Sequence, residues 1–254
     1  LDYWTNRSQD QYVQGAVMTP YIGSHDTPRI ISRIENDGTQ WNQWAEQETP
    51  GIPSDWAYSR LEQALGWLLT TPGAPVIYMG DEFGMHGGAD PDNRRMLDHN
   101  LTSQQQELHD FTALLGNFRL ENEALRRGTY STYYADANLL AYEMISESQE
   151  LLVVLNRGGS TTLDVEYDTV LIGQADLTGG VLGIPAFSVN IIGYGSTADD
   201  GQSIEEGGDD DIVSEEGLEE VEGSDLMSST ALQNGLIILV FIMLALLIQT
   251  IRRV

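Results

Sequence analysis

The sequence of 254 residues contains no cysteine and no lysine. The lack of cysteine excludes disulfides, thiolate metal sites and a cysteine nucleophile. All twelve basic residues are arginine, and they are outnumbered by 39 acidic residues, which gives a formal net charge of −27. This balance excludes ordinary nucleic-acid binding, because that function needs basic patches that displace counterions from phosphates. Hydrophobic residues make up 41% of the sequence, which is enough to build a folded core.

The negative charge is spread unevenly along the chain. Residues 1–197 have a net charge of −16 and residues 198–254 one of −11. The stretch 198–229 is mostly Gly, Ser, Asp and Glu, so it cannot bury enough apolar surface to offset its ordering entropy, and it is expected to be a disordered linker. A calcium loop around Asp209-Asp210-Asp211 is the alternative, although the spacing of oxygen ligands around a glycine turn is missing.

The last residues form an apolar segment that ends in Arg252 and Arg253. As a helix, residues 235–251 would span about 25 Å, near the short limit for a bilayer core of about 30 Å. A buried core helix is the alternative, but this helix would be apolar on every face. The pattern therefore predicts that residues 231–254 form a membrane anchor. Because positive residues stay in the cytoplasm, the folded part is then expected outside the cell membrane.

Residues 1–125 have the pattern of strand, helix, strand, helix. An apolar run over residues 18–23 predicts a strand, and the near-continuous apolar run 74–79 predicts a parallel strand buried on both faces. Helical periodicity covers residues 55–71 with Asp55 as N-cap, and a capping box at Thr102 starts a helix that runs to about Leu120. The residues expected on the buried faces of these helices are Trp56, Leu61, Leu65, Leu68, Leu69, Leu108, Phe111, Leu114, Leu115 and Phe118.

After Arg127 the pattern changes to short strands separated by turns. The stretches that alternate or run apolar are 130–134, 139–145, 150–156, 161–167 and 188–193. Strands at this spacing predict an antiparallel β-sandwich.

Two loops concentrate polar residues after the predicted α/β strands, where the chemistry of such a unit is expected. The first, residues 24–29, contains His25 and Asp26. Such a pair can bind sugar hydroxyls, because the carboxylate accepts hydrogen bonds and the imidazole donates one. A structural turn, in which Asp26 caps local N–H groups, is an equal alternative. The second loop, residues 84–97, carries carboxylates and arginines that either grip a polyol or form a network with one another.

The motifs SHDTPR at 24–29 and APVIYMGDEFGMHGGADPDNRRM at 74–96 resemble the alpha-amylase family of glycoside hydrolases (family 13). The second motif is similar to the cyclomaltodextrinase, neopullulanase and maltogenic amylase branch. The resemblance covers about residues 1–194. It implies a (β/α)₈ TIM barrel, with residues 18–23 as strand seven and 74–79 as strand eight, followed by an antiparallel β-sandwich called domain C.

The resemblance and the composition together give the expected organisation of the chain. Its four parts are the C-terminal part of the catalytic barrel at 1–125, β-sandwich domain C at 126–197, the acidic linker at 198–230 and the transmembrane anchor with a short cytoplasmic tail at 231–254.

The resemblance also implies roles for residues in the two loops. Asp26 matches the third catalytic carboxylate, which stabilises the oxocarbenium-like transition state, and His25 matches the histidine that hydrogen-bonds the same sugar. Asp90 and Arg94 are expected to line the substrate cleft. A mainly structural role is expected for Tyr78, Gly80, Asp81 and Glu82 of the strand-eight motif. For Trp41, Trp44 and Trp56, ordinary packing is favoured over stacking on a sugar.

Two carboxylates of the family mechanism have no match in the sequence. The nucleophile and the acid/base of the retaining mechanism come from barrel strands four and five, which would lie before Leu1. The sequence is therefore expected to be the C-terminal piece of a membrane-anchored alpha-glucan hydrolase or transglycosylase, and to be inactive alone. A non-catalytic amylase-like ectodomain that binds partners is the alternative. No cofactor is expected; calcium is common in the family, but the residues offer no ligand set.

Overall fold

The computed structural model describes residues 1–13, 16–49 and 51–195. The predicted acidic linker at 198–230 and the predicted anchor at 231–254 lie outside these residues. Within the described part of the chain, no helix combines the length and the apolar character needed to cross a membrane.

Helices dominate the first half of the described chain. Their bounds are α1 (Asp2–Gln11), α2 (Ile30–Glu35), α3 (Asp55–Thr70), α4 (Ser103–Glu121) and α5 (Glu123–Arg127), with short 3₁₀ turns at Asp81–Phe83 and Asp92–Arg94. The N-cap of α3 is Ser54 rather than the predicted Asp55, which is the first helical residue. The carboxylate of Asp55 still lies where the helix dipole favours negative charge. The capping box of Thr102 and Gln105 at the start of α4 is confirmed.

The predicted apolar faces of α3 and α4 are largely buried, with two errors. Leu61, Leu65 and Leu115 are at most 1% exposed, whereas Trp56 is 44% and Leu114 is 52% exposed. Leu114 is rotated about 100° from Leu115 around the helix axis, away from the core. Trp56 lies in the first turn of α3, beside Arg60 on the surface.

The two predicted α/β strands are extended segments joined by only a short parallel ladder. Tyr21 and Val76 form an isolated parallel bridge. The backbone N–H of Val76 donates to the carbonyl of Pro20 at 2.9 Å, and that of Ala74 donates to Met18 at 2.8 Å. The predicted pairing and direction are therefore correct, but neither segment is a regular strand.

Burial of the second segment on both faces was also a wrong expectation. Val76 is 46% and Met79 is 42% exposed, and Tyr21 across the ladder is 61% exposed. Within the described residues no further strand flanks this pair to cover its faces. Pro20 and Pro75, which lack a backbone N–H, limit the ladder further.

The second half of the described chain forms two antiparallel sheets. The strands are β1 (Thr129–Ala135), β2 (Leu139–Ile145), β3 (Glu150–Asn156), β4 (Thr161–Asp164), β5 (Thr169–Ile172), β6 (Asp176–Thr178), β7 (Val181–Ile184) and β8 (Ser188–Gly193). One sheet has the order β1-β2-β3-β8-β5 and the other β4-β7-β6. No separate prediction covered β5, β6 and β7, and the predicted β4 extended to residue 167.

The five-stranded sheet is the middle layer between the helices and the smaller sheet. In its central strand β3, Leu151, Val153 and Leu155 pack in one cluster with residues of α3, α4 and α5. Leu152 and Val154 point to the opposite face and pack against the three-stranded sheet. Because both faces are covered, β3 is an unbroken apolar run rather than an alternating one.

Arg119 of α4 fixes the chain between α3 and the second extended segment. Its guanidinium donates to the carbonyls of Leu69 at 2.9 Å and Thr71 at 3.1 Å, and also to that of Gly73. Gly73 has φ +107°, and a Cβ there would lie 2.4 Å from the carbonyl oxygen of Met18. This glycine therefore allows the two extended segments to meet.

Candidate active site

The first polar loop begins where the first extended segment meets a buried carboxylate. A Cβ at Gly23 would lie 2.2 Å from Asp81 Oδ2, so only glycine fits there without movement. A tight turn follows, in which the Asp26 N–H donates to Ser24 Oγ at 3.2 Å and the Thr27 N–H donates to the Ser24 carbonyl at 3.3 Å. The turn leaves the side chains of His25 and Asp26 on the surface, 62% and 71% exposed.

Arg29, the last residue of the SHDTPR motif, anchors this loop from inside. Its side chain is completely buried, and its Nη1 lies 3.6 Å from Asp81 Oδ1. The same nitrogen donates to the carbonyl of Met79, and the guanidinium lies 4.2 Å from the ring centroid of Tyr78. The backbone N–H of Arg29 donates to the carbonyl of Gly87 at 3.1 Å. These contacts join the first polar loop to the second.

The buried position of Asp81 changes its acidity. Desolvation raises the pKa of the Asp81 carboxyl to about 7, although the neighbouring Arg29 guanidinium acts in the opposite direction. In the described residues neither carboxylate oxygen accepts a hydrogen bond. The pair therefore supports the loops from inside, and it is not open to a ligand.

Asn93 connects the two polar loops at the level of the backbone. Its side chain is almost fully buried, and its Nδ2 donates to the carbonyls of His25 at 2.8 Å and Thr27 at 2.9 Å. Tyr78 donates its hydroxyl to the Asn93 carbonyl at 3.3 Å. Asn93 thus holds the backbone of the His25–Asp26 turn against the second loop.

The four residues singled out from the sequence lie in one exposed cluster. Arg94 Nη2 lies 2.9 Å from Asp90 Oδ2 and 3.6 Å from Asp26 Oδ1. His25 Nε2 lies 3.2 Å from Asp26 Oδ1, and Arg94 Nε donates to the His25 carbonyl at 3.1 Å. Two carboxylates, one guanidinium and one imidazole therefore meet at a solvent-accessible edge. Such a set can accept hydrogen bonds from vicinal hydroxyls and can donate others to their oxygens.

Sequence reasoning missed Asn93 and Arg29 as residues that build this cluster. Both residues lie inside the two motifs. The sequence signal that could have identified them is a large polar residue next to a turn that contains glycine or proline. The strand-eight residues Asp81 and Glu82 behave as expected of structural groups, since Asp81 is buried and Glu82 accepts the N–H of Gly80 at 2.6 Å.

The tryptophans between the two loops are not core residues. Trp44 is 62% and Trp56 is 44% exposed, so the packing interpretation is wrong for both, while Trp41 is half-buried. Among the described residues no group of three or more His, Asp or Glu side chains is arranged to hold a metal ion.

Residues 1–129 match the model of the alpha-amylase catalytic domain. The chain belongs to the alpha-amylase family. This agrees with the resemblance of the SHDTPR and DPDNRR motifs and covers the whole cluster described above.

Curated relatives come from the expected branch of the family. The chain is 30% identical over 161 residues to a cyclomaltodextrinase of Thermoanaerobacter pseudethanolicus, covering 63% of this chain and 24% of that protein. It is 36% identical over 124 residues to neopullulanase 2 of Thermoactinomyces vulgaris, covering 48% of this chain and 20% of that protein. The chain thus spans a quarter or less of the length of these two relatives.

Solved structures show the same fold. The debranching enzyme of Nostoc punctiforme matches with a TM-score of 0.57 and 30% identity, covering 70% of this chain and 36% of that one. The alpha-amylase of Geobacillus thermoleovorans, complexed with acarbose, matches with a TM-score of 0.60 over 76% of this chain and 42% of that one. At 20% identity, the second likeness supports the fold alone.

Proposed function

We propose that the chain forms part of an alpha-glucan glycoside hydrolase or transglycosylase and supplies one wall of its substrate cleft. The observation that carries this proposal is the exposed cluster of Asp26, His25, Asp90 and Arg94, in a chain of the alpha-amylase family. Two motifs that lie far apart in the sequence converge there on Arg94, which lies within 3.6 Å of Asp26. A purely structural turn at Asp26 would not need an arginine from the second loop.

In this proposal Asp26 stabilises the transition state rather than attacking the sugar. Its charge opposes the positive charge that develops on the oxocarbenium-like ring, and its oxygens accept hydrogen bonds from ring hydroxyls. His25 donates to the same sugar from the adjacent position. Asp90 and Arg94 bind a neighbouring sugar and keep the Asp26 carboxylate oriented through the 3.6 Å contact.

We assign the nucleophile and the acid/base of the reaction to parts of the full-length protein outside residues 1–254. A retaining mechanism needs those two carboxyl groups about 5 Å apart across the scissile bond. Support for this division comes from the relatives, since the chain covers only 24% of the cyclomaltodextrinase. Retention is the expected stereochemical outcome.

The activity of the full-length protein tests this assignment. Maltohexaose, γ-cyclodextrin and pullulan are offered in turn, and the first anomer released is followed by proton NMR. The proposal expects hydrolysis of at least one glucan with the α-anomer appearing first. Release of the β-anomer first excludes retention, and no turnover of any glucan supports the non-catalytic ectodomain instead.

We further propose that residues 231–254 anchor the enzyme in the cell membrane with the folded part outside. The support is the apolar run that ends in Arg252 and Arg253. The full-length protein is expected in the membrane fraction, and a protease added to intact cells is expected to release the folded part by cutting the acidic stretch. Recovery of the intact protein in the soluble fraction without detergent excludes the anchor.

A further inference from the structure

A concave surface separate from the Asp26 cluster lies at the junction of the helices and the β-sandwich. It is a groove of about 610 Å³ between α2, α3 and the turn that joins β1 to β2. None of its lining residues belongs to the Asp26 cluster. Its volume lies within the range of about 300–1,000 Å³ in which proteins bind small molecules.

The groove collects three of the ten arginines found in residues 1–197. Arg33, Arg60 and Arg157 line it, and within the described residues none of the three forms an ion pair. Arg60 and Arg157 repel each other, and this repulsion adds to desolvation in lowering the pKa of Arg60. In a protein with a net charge of −27, two mutually repelling arginines that form no ion pair in the described residues are unexpected.

Three carboxylates, of Asp2, Asp37 and Asp136, line the same groove, but none of them forms an ion pair with an arginine in the described residues. Asp136 accepts the backbone N–H groups of Asn138 and Leu139, each at 2.7 Å. Asp2 accepts the hydroxyl of Tyr130 at 2.8 Å. These hydrogen bonds of Asp136 and Asp2 hold the turn and the N-terminal helix in place, so of the three carboxylates only that of Asp37 has no such role.

Hydrogen-bond donors in the groove lack acceptors. Gln63 is only 8% exposed, and its Nε2 has no partner in the described residues. The Nε of Arg60 is likewise buried without a partner in the part of the chain that the structure describes. A buried donor without an acceptor costs roughly 1–3 kcal/mol. Both atoms are closed to solvent, so a ligand in the groove reaches them only if the side chains rotate.

Arg60 is held in place by aromatic rings from both layers. Its guanidinium carbon lies 5.4 Å from the ring centroid of Trp56 and 5.1 Å from that of Phe187. The rings attract the face of the guanidinium, but they offer nothing to the N–H groups at its edge. The site is therefore built to present an oriented cation.

We infer that this groove binds a small oxyanion, namely the phosphate or carboxylate group of a soluble molecule. Such a group has acceptor oxygens for the guanidinium groups of Arg60 and Arg157, and its charge relieves the repulsion between them. A neutral sugar would satisfy hydrogen bonds but would leave that repulsion uncompensated. The exposed Trp56 and the apolar groove residues Ile30 and Ile34 leave room for the body of the molecule.

Calorimetric titration of the full-length protein tests the inference, with inorganic phosphate in one arm and succinate in the other. Potassium chloride keeps the ionic strength constant, so that general screening does not contribute. Saturable binding of at least one probe, near one per chain, is expected. Absence of binding in both arms overturns the inference. Maltotriose is titrated as a third probe, and if it binds while neither anion does, the inference is also overturned.

Two arginine substitutions with the same charge change locate the binding. Arg157→Gln is chosen because Arg157 is exposed, so its loss does not threaten the core, and Arg127→Gln is the control on the exposed end of α5. Arg157→Gln is expected to lower the affinity for the anion by at least about tenfold, because one charge-assisted contact is lost. Arg127→Gln is expected to leave the affinity unchanged. An equal loss in both variants assigns the effect to net charge and contradicts the inference.

Discussion

Arg94 of the second polar loop lies 3.6 Å from Asp26 of the first, although 68 positions separate the two residues in the sequence. The same guanidinium lies 2.9 Å from Asp90. Arg94 therefore couples a carboxylate assigned to transition-state stabilisation with one assigned to substrate binding.

Replacing Arg94 should weaken substrate binding more than turnover. Arg94→Gln removes the charge beside Asp90 and Asp26 but keeps an amide that can donate hydrogen bonds. We expect KM for maltohexaose to rise by about tenfold or more, as the loss of a charge-assisted contact implies, while kcat falls less. Steady-state kinetics measure both constants. Arg127→Gln is the matched control, and an unchanged KM in Arg94→Gln excludes a substrate contact.

Asn93 should act on the site without touching the substrate. Asn93→Ala leaves the carbonyls of His25 and Thr27 without their donor, which is expected to cost roughly 1–3 kcal/mol of unfolding free energy. Because the His25–Asp26 turn is then free to shift, kcat should also fall. Urea unfolding and kinetics test the two effects. Asn117→Ala, at an exposed position of α4, should leave both values near wild type.

The raised pKa of Asp81 predicts a particular pH dependence of stability. The folded carboxyl titrates near 7, whereas an unfolded one titrates near 3.8. The folded state therefore holds a proton that the unfolded state has lost, and stability should fall as pH rises from about 4 to about 7. Asp81→Asn removes this titration. The decrease in unfolding free energy between those pH values should be smaller in the variant, and an identical decrease shows that Asp81 is ionised in the folded state throughout.

Salt should stabilise the folded part. Residues 1–197 have a net charge of −16 and no lysine, so carboxylate repulsion is strong at low ionic strength and is screened when the Debye length shortens. We expect the melting temperature of the full-length protein to rise between 0.1 M and 2 M potassium chloride, as the Debye length falls to a few ångströms. If the melting temperature stays constant or falls as the salt concentration rises, the prediction is wrong and the lack of lysine reflects composition bias alone.

The sequence predicted the elements whose signals are local. The capping box at Thr102 marks the start of α4, and the apolar run of β3 has the bounds that its burial on both faces demands. The short strands β5, β6 and β7 were not predicted, because three or four residues cannot show a period. The exposure of Val76 was also missed, since an apolar run indicates what could be buried and not which neighbours cover it.

The two loops that carry the exposed cluster were predicted from the sequence, whereas the residues that support these loops were missed, and the functional roles of the cluster stay predictions. The position of the two loops after strands marked them as candidates, and the resemblance to the alpha-amylase family singled out Asp26, His25, Asp90 and Arg94 within them. The roles of Arg29, buried against Asp81, and of Asn93 depend on contacts between distant segments. A single sequence shows the residue types but not these contacts, so their positioning roles became visible only in the folded structure.

The substitution Asp26→Asn tests most directly whether this cluster belongs to a catalytic cleft. It keeps the size of the side chain and removes the charge that a cationic transition state requires. Glucan hydrolysis and thermal unfolding are measured on the full-length protein, with Asp110→Asn at an exposed position of α4 as the control. We predict that kcat falls by far more than tenfold, above about 1.4 kcal/mol, while the melting temperature and the control stay near wild type. Near-normal turnover in Asp26→Asn would refute the transition-state role and reduce the SHDTPR loop to a structural turn.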